Sequence, residues 1–185
     1  MPLSLPRALL LVDGYNIIGV WSHLKKTRDR DGLEASRRLL IEALANYSAL
    51  QDWDTQVVFD AQYRDTQSSR ELVTQHLCVY YTDFGETADT YIERVCATGP
   101  RQTGRRQRTI VSTSDRALQL TAMGYGAEWM SPQHLRKSVE TADRHRQLNQ
   151  KSRPLGQSRF LFQSLDAKTQ KRLANLRFEL QPPKK

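Results

Sequence analysis

Four aspartates, Asp13, Asp60, Asp89 and Asp115, each stand just beyond a short apolar run of the chain. Asp13 ends the run Ala8-Leu9-Leu10-Leu11-Val12, and Asp60 directly follows Gln56–Phe59. Asp89 falls in the first turn of a helix expected after Leu77–Tyr81, and Asp115 closes Ser112-Thr113-Ser114-Asp115. If the four runs are parallel strands of one sheet, the acids gather at its carboxyl edge, where open α/β sheets take their ligands. Carboxylates held a few Å apart repel one another and raise one another's pKa values unless a cation sits among them. Carboxylate oxygens are the ligands that Mg²⁺ and Mn²⁺ prefer, and Mg²⁺ commonly bridges to substrate phosphates. The chemistry this points to is metal-assisted attack of water on a phosphodiester.

Neighbouring residues could support such a site. Asn16, three residues beyond Asp13, can orient a carboxylate or a bound water, or can simply form a turn; its position does not separate the two. Gly14 allows a sharp exit from the strand. Glu86 and Glu93 flank Asp89 at i−3 and i+4, a spacing that places all three on one helix face. Acids in a first turn also answer the helix dipole, which suits Glu86. Glu93 lies too deep for that and is assigned to the site. Asp60 could equally be a cap or turn former. Thr113 and Ser114 could donate to a phosphate, or Ser114 could cap its helix. Ser22–Asp31 reads as a loop on the site's rim, so its cations Lys25, Lys26, Arg28 and Arg30 are the candidates for contacting the substrate. Gly99–Arg108 is equally basic but precedes a strand, which puts it at the opposite end of the sheet. It superficially resembles a P-loop, yet Arg105 and Arg106 replace the required Lys and Ser/Thr. The four histidines, His23, His76, His134 and His145, show no ligand spacing.

The elements that must position these residues alternate along the chain. Ala8–Val12, hydrophobic throughout, reads as a central parallel strand. Gly32–Leu50 reads as a helix, with Leu33, Arg37/Leu40, Leu44 and Tyr47 at helical spacing. Gln56–Phe59 reads as a strand, Ser68–Thr74 as a short helix, and Leu77–Tyr81 as a strand. A helix over Glu86–Ala97, a strand over Thr109–Ser112, a helix over Asp115–Met123 and a strand over Ala127–Met130 follow. Ser131-Pro132 then signals the start of a long polar helix to about Asn149. This rhythm means βαβ units: an α/β fold with a mostly parallel sheet of about five strands between helical layers. Residues 1–150 are assigned to this domain. Residues 151–185 are assigned to a basic appendage, with a break at Arg153–Gly156, a helix over Leu165–Leu180 and a loose tail.

The charge is unevenly placed. The chain's +8 arises from residues 136–185, with 13 Lys/Arg against 4 Asp/Glu; the rest holds 15 against 16. A basic arm beside an acidic pocket attracts a polyanion by counterion release, and nucleic acid is the expected one; the plainer reading is a solvated surface. No apolar run approaches the roughly 20 residues of a membrane helix, and no secretory signature is present. Cys78 and Cys96 sit in apolar segments without metal or disulfide spacing, as expected of a cytoplasmic chain.

Leu11-Val12-Asp13-Gly14-Tyr15-Asn16, Val58-Phe59-Asp60-Ala61, Glu86-Thr87-Ala88-Asp89 and Thr113-Ser114-Asp115 together resemble the YacP-like branch of the NYN domain family, itself similar to PIN-domain ribonucleases. The resemblance covers about residues 8–140 and extends to the Leu165–Arg177 segment. It implies a PIN-like three-layer α/β/α sandwich and Mg²⁺- or Mn²⁺-dependent endoribonuclease activity on single-stranded RNA. It further implies association with the ribosome and cleavage of translated mRNA. Asp13, Asp89 and Asp115 match the family's metal-binding acids; Asn16, Asp60 and Glu93 match further motif positions. The long basic stretch Arg136–Arg159 is less usual for the family. Two rivals remain: a non-catalytic RNA- or ribosome-binding module of the same fold, and a small-molecule phosphohydrolase. A dehalogenase-like phosphohydrolase would want a second Asp where Tyr15 stands, and the basic arm would serve no purpose with a small substrate.

Overall fold

The structure, a computed structural model, describes residues 8–60, 68–102 and 108–151. The chain divides into two compact units, Met1–Arg144 and His145–Lys185. The first carries the whole sheet and the site. The expected break at Arg153–Gly156 and helix over Leu165–Leu180 lie outside the described residues.

The element order is β1 (Ala8–Asp13), α1 (Gly14–Val20), α2 (Ser22–Asp31), α3 (Leu33–Gln51), β2 (Asp54–Phe59), β3 (Ser69–Thr74), β4 (Leu77–Tyr81), α4 (Ala88–Gln102), β5 (Arg108–Ser112), α5 (Arg116–Gly124), β6 (Glu128–Met130) and α6 (Pro132–Lys151). Six strands form one sheet in the order β3-β4-β2-β1-β5-β6. All neighbours are parallel except the edge pair β3–β4. β1 is central because Leu10, Leu11 and Val12 are all fully buried, apolar on both faces.

The two faces have separate cores. Leu10, Val12, Val57, Phe59, Val79 and Ile110 pack against Ile17 and Ile18 of α1, Leu24 of α2, Leu40 and Leu44 of α3, and Leu135 and Val139 of α6. The alternate residues Leu11, Val58 and Val111 pack against Ile92 and Cys96 of α4 and Leu118 and Ala122 of α5. Helices therefore cover both faces, giving the PIN-like α/β/α sandwich. Both cysteines are free and buried. No helix among the described residues is long and apolar enough to cross a membrane.

Three elements differ from the sequence expectation. A short helix, Gly14–Val20, follows β1 where only a tight turn was expected. Ser22–Asp31 is a helix rather than a loop, with Leu24 as its buried residue. It docks on the next helix through the Ser36 hydroxyl, which donates to the Leu24 carbonyl at 2.7 Å. Ser69–Thr74 is an exposed edge strand rather than a short helix. Its local propensity is overridden by hydrogen bonding to β4, the context dependence that marks edge strands. This strand is the sixth, beyond the roughly five expected.

Candidate active site at the switch point of the sheet

From β1 the chain works outward through β2 to β4, then returns to the other side of β1 for β5 and β6. Strand order reverses between β1 and β5, and the crevice at their carboxyl ends is the place where such sheets bind ligands. Asp13 ends β1, Asp115 lies just beyond β5, Asp60 directly follows β2, and Asp89 begins α4. The four aspartates are thus brought to one edge.

Each is held by local structure. Asp13 caps α1, its carboxylate accepting from the Asn16 N–H at 3.1 Å. Asp115 caps α5, accepting from the N–H groups of Ala117 at 2.7 Å and Leu118 at 3.1 Å. Asp89 sits in the first turn of α4, whose start is fixed by the Thr87 hydroxyl accepting from the Thr90 N–H at 3.2 Å. Carboxylates at three helix N-termini gain from the dipoles there. That stabilisation offsets part of their mutual repulsion.

Asp13, Asn16, Asp60 and Asp89 line a cavity of about 610 Å³, together with Tyr15, Ile18, Arg28, Leu33, Thr87 and Ala88. Burial raises the Asp13 carboxyl from 3.8 to about 6, against the opposing Asn16 N–H bond, with further upward pushes from Asp89, Asp115 and Asp60. Asp89 is also raised, first by burial and then by Asp115, Glu93 and Asp60. The four aspartates therefore feel one another, and Glu93 joins through Asp89. Asp60 lines the cavity and Glu93 does not.

Hard oxygen donors whose charges oppose one another form a set that a divalent cation would neutralise. Among the described residues, however, no three such groups come close enough to enclose an ion. The set fits an ion that keeps much of its water and bonds few carboxylates, as Mg²⁺ usually does.

The other expected site residues are sorted by the fold. Asn16 Oδ1 accepts from both the backbone N–H and the hydroxyl of Ser114, each at 2.8 Å. Thr113 is buried, and its hydroxyl accepts from the Asp115 N–H at 3.0 Å. It shapes the turn that carries Asp115. Of the four cations in α2, Arg28 lines the cavity, though it pairs with Asp29. Arg30 pairs with Asp31, and Lys25 and Lys26 are exposed outside the cavity lining. Glu86 precedes α4 instead of opening it, so it does not share a helix face with Asp89; it pairs with Arg94. Arg108 begins β5 at the far end of the sheet, as expected, bonded to Glu128, while residues 103–107 of the same basic segment lie outside the described residues.

Tyr15 and Arg37 belong to the site's surroundings without having been singled out for it. Tyr15 lines the cavity, and the buried Arg37 donates to its hydroxyl at 2.8 Å. The available signal was an arginine at an inward position of an apolar helix face. Gly14 serves close packing, since a Cβ there would run into the Phe59 ring, and it adopts no left-handed conformation.

Comparison with known proteins agrees with this fold. The family model described as "YacP-like NYN domain" matches residues 10–178. The chain is 34% identical to the "Uncharacterized protein YacP" of Bacillus subtilis (strain 168) over 137 residues, 74% of this chain and 77% of that one. It is also similar to the crystal structure of a tryptophan-to-leucine mutant of Rae1 (YacP) from Bacillus subtilis. There the TM-score is 0.62 and the identity 28%, over 91% of this chain and 99% of that one. A second structure of Rae1 (YacP) from Bacillus subtilis matches with a TM-score of 0.61 and 28% identity, over 91% of this chain and 92% of that chain. With its four motifs at the carboxyl edge of a PIN-like sheet, the chain belongs to the YacP-like NYN domain family.

Proposed function

We propose that the protein is a metal-dependent endoribonuclease acting on single-stranded RNA. The observation that carries this is one cavity at the switch point, lined by Asp13, Asp60 and Asp89, whose charges also act on and with Asp115. So many carboxylates around one cavity serve no packing purpose, and the family suggests a nuclease-like, RNA-related role. Asp13, Asp89 and Asp115 would hold Mg²⁺ or Mn²⁺, which when bound supplies an activated water and screens the acids from the phosphate.

This chain's own residues do the rest. Asp60 presents its carboxylate at the cavity wall, and Glu93 reinforces the negative field at Asp89. Asn16 fixes the spacing of the turns that carry Asp13 and Asp115. Arg28 offers a cation at the cavity rim to a backbone phosphate. Because the nucleophile is water and not the RNA's own 2′-hydroxyl, the products are expected to carry 5′-phosphate and 3′-hydroxyl ends. Ribosome-engaged mRNA in the cytoplasm is the proposed setting, following from the family resemblance.

Labelled single-stranded RNA incubated with the full chain, with Mn²⁺ or with EDTA and with or without ribosomes, tests this. Cleavage in Mn²⁺ that disappears in EDTA and in Asp89→Asn is expected. Wild-type cleavage rates in Asp89→Asn would sink the assignment. A second reading, a non-catalytic RNA- or ribosome-binding module, draws on the absence of a closed three-acid cluster among the described residues. It predicts salt-sensitive RNA binding that ignores EDTA and the aspartate substitutions.

A further inference from the structure

Of the chain's three tryptophans, Trp21 and Trp53 are core residues at 2% and 9% exposure, whereas Trp129 is 44% exposed. Trp129 lies on β6 opposite Val111, so its side chain rises on the α4–α5 face of the sheet. Its indole N–H donates to the Thr113 carbonyl at 3.0 Å. The ring therefore leans toward the carboxyl edge and is tied to the turn that carries Asp115. A half-exposed indole held by its one polar atom is a rigid apolar surface beside an acidic site. Its lone donor is already used, so it can offer an incoming ligand only its π-face.

The charge beside it is also suited to a nucleotide. Arg116 opens α5 next to Asp115, is exposed, and forms no ion pair among the described residues. The two arginines of α2 differ, since Arg28 and Arg30 are paired to their neighbours Asp29 and Asp31. A free guanidinium and a fixed aromatic ring thus flank the same turn. A cation for phosphate and an aromatic face for a base is how proteins grip single-stranded nucleic acid.

The sheet sets the span. Asp60, Asp13, Asp115 and Trp129 belong to or follow β2, β1, β5 and β6, which are consecutive neighbours. Three inter-strand spacings separate the outer two, about 14 Å, the reach of a few nucleotides of extended chain. Arg28 lines the cavity with Asp13, Asp60 and Asp89, whereas Arg116 and Trp129 belong to α5 and β6, next to and beyond Asp115.

We propose that Trp129 is a base-stacking platform for the RNA strand that passes the acidic site, with Arg116 taking an adjacent phosphate. This rests on the reading that the substrate is single-stranded RNA. Exposed Leu120, Met123 and Tyr125 on and beyond α5 suit a protein partner instead, and that alternative is an outcome of the test.

The test uses full-length Asp89→Asn, so that RNA stays intact, titrated with a short oligouridylate and with an abasic sugar–phosphate oligomer of equal length. Tryptophan emission reports stacking, because Trp129 is the exposed indole, and anisotropy of labelled RNA reports binding separately. Quenching by the oligouridylate but not the abasic chain is expected. Trp129→Ala on the same background should weaken binding roughly tenfold, as for loss of one stacked base. Trp129→Phe, which keeps a ring and loses the N–H, should stay within about threefold of the parent. Binding without quenching, equal quenching by the abasic chain, or a phenylalanine variant as weak as the alanine one overturns the platform. An alanine variant that binds RNA as the parent does overturns it too, and leaves the patch to a protein. Flat anisotropy instead overturns the RNA reading itself.

Discussion

Asn16 and Ser114, 98 residues apart in the chain, are joined by two hydrogen bonds of 2.8 Å on one oxygen, Asn16 Oδ1. The pair bridges the first turn of α1 to the turn after β5, across the switch point. It thereby sets the separation of Asp13 and Asp115, each of which caps the helix that follows. Asn16→Ala is expected to cut RNA cleavage by about ten- to a hundredfold and to raise the Mn²⁺ concentration required, as losses of supporting contacts around a metal do. Ser114→Ala keeps the backbone donor and should cost far less. A Mn²⁺ titration of cleavage for the two variants checks both.

Asp13 sits at a stability cost when ionised. Its carboxyl titrates at about 6 in the fold against 3.8 ordinarily, so the folded state binds this proton more tightly than the unfolded chain. The contribution to stability is present below 3.8 and is lost as pH climbs through about 6. The displacement corresponds to roughly 3 kcal/mol. In EDTA, Asp13→Asn should therefore be more stable than the parent at pH 8, by about 1–3 kcal/mol, while losing activity. The advantage should vanish by about pH 4. Urea unfolding at the two pH values decides it, and a variant less stable than the parent at pH 8 would contradict the assignment.

Gly14 packs its bare Cα against the Phe59 ring, which also meets Tyr15 at 5.0 Å and Tyr81 at 5.7 Å between centroids. Gly14→Ala should destabilise the protein by about 1–3 kcal/mol through overpacking. Adding Phe59→Leu should return part of that loss, since the two residues share one contact. Independent, additive effects in the double-variant cycle would show that the contact is not the cause.

The basic helix α2 makes unequal offers to RNA. Arg28 lines the cavity and Lys26 does not. In the Asp89→Asn background, Arg28→Ala should lower the slope of RNA affinity against salt concentration by about one, and Lys26→Ala should leave it near the parent value. Equal slopes for both variants would place the strand elsewhere.

Much of this protein is determined along the chain itself. The unbroken apolar run Ala8–Val12 can only be satisfied in the middle of a sheet, and it is central. The acids after Val12, Phe59 and Ser112 follow from the alternation of strands and helices, because consecutive parallel strands end on the same edge. The helix α3 was legible from its inward spacing, Leu40, Leu44 and Tyr47.

What only the tertiary structure decided involves contacts between segments with weak local signals. Ser22–Asp31 is too polar to announce a helix, and it forms because Leu24 docks and Ser36 binds its backbone. Ser69–Thr74 carries Arg70, Glu71 and Leu72, which suit a helix equally well, and its strand state comes from the free edge of β4. Nothing near Asn16 in sequence predicts Ser114, and nothing near Trp129 predicts Thr113, since both bonds form only once β1, β5 and β6 lie side by side. Periodicity and composition act over a few residues and can be read directly. Hydrogen bonds across distant turns exist only after the sheet has set the strand order, and they fix the working distances of the site.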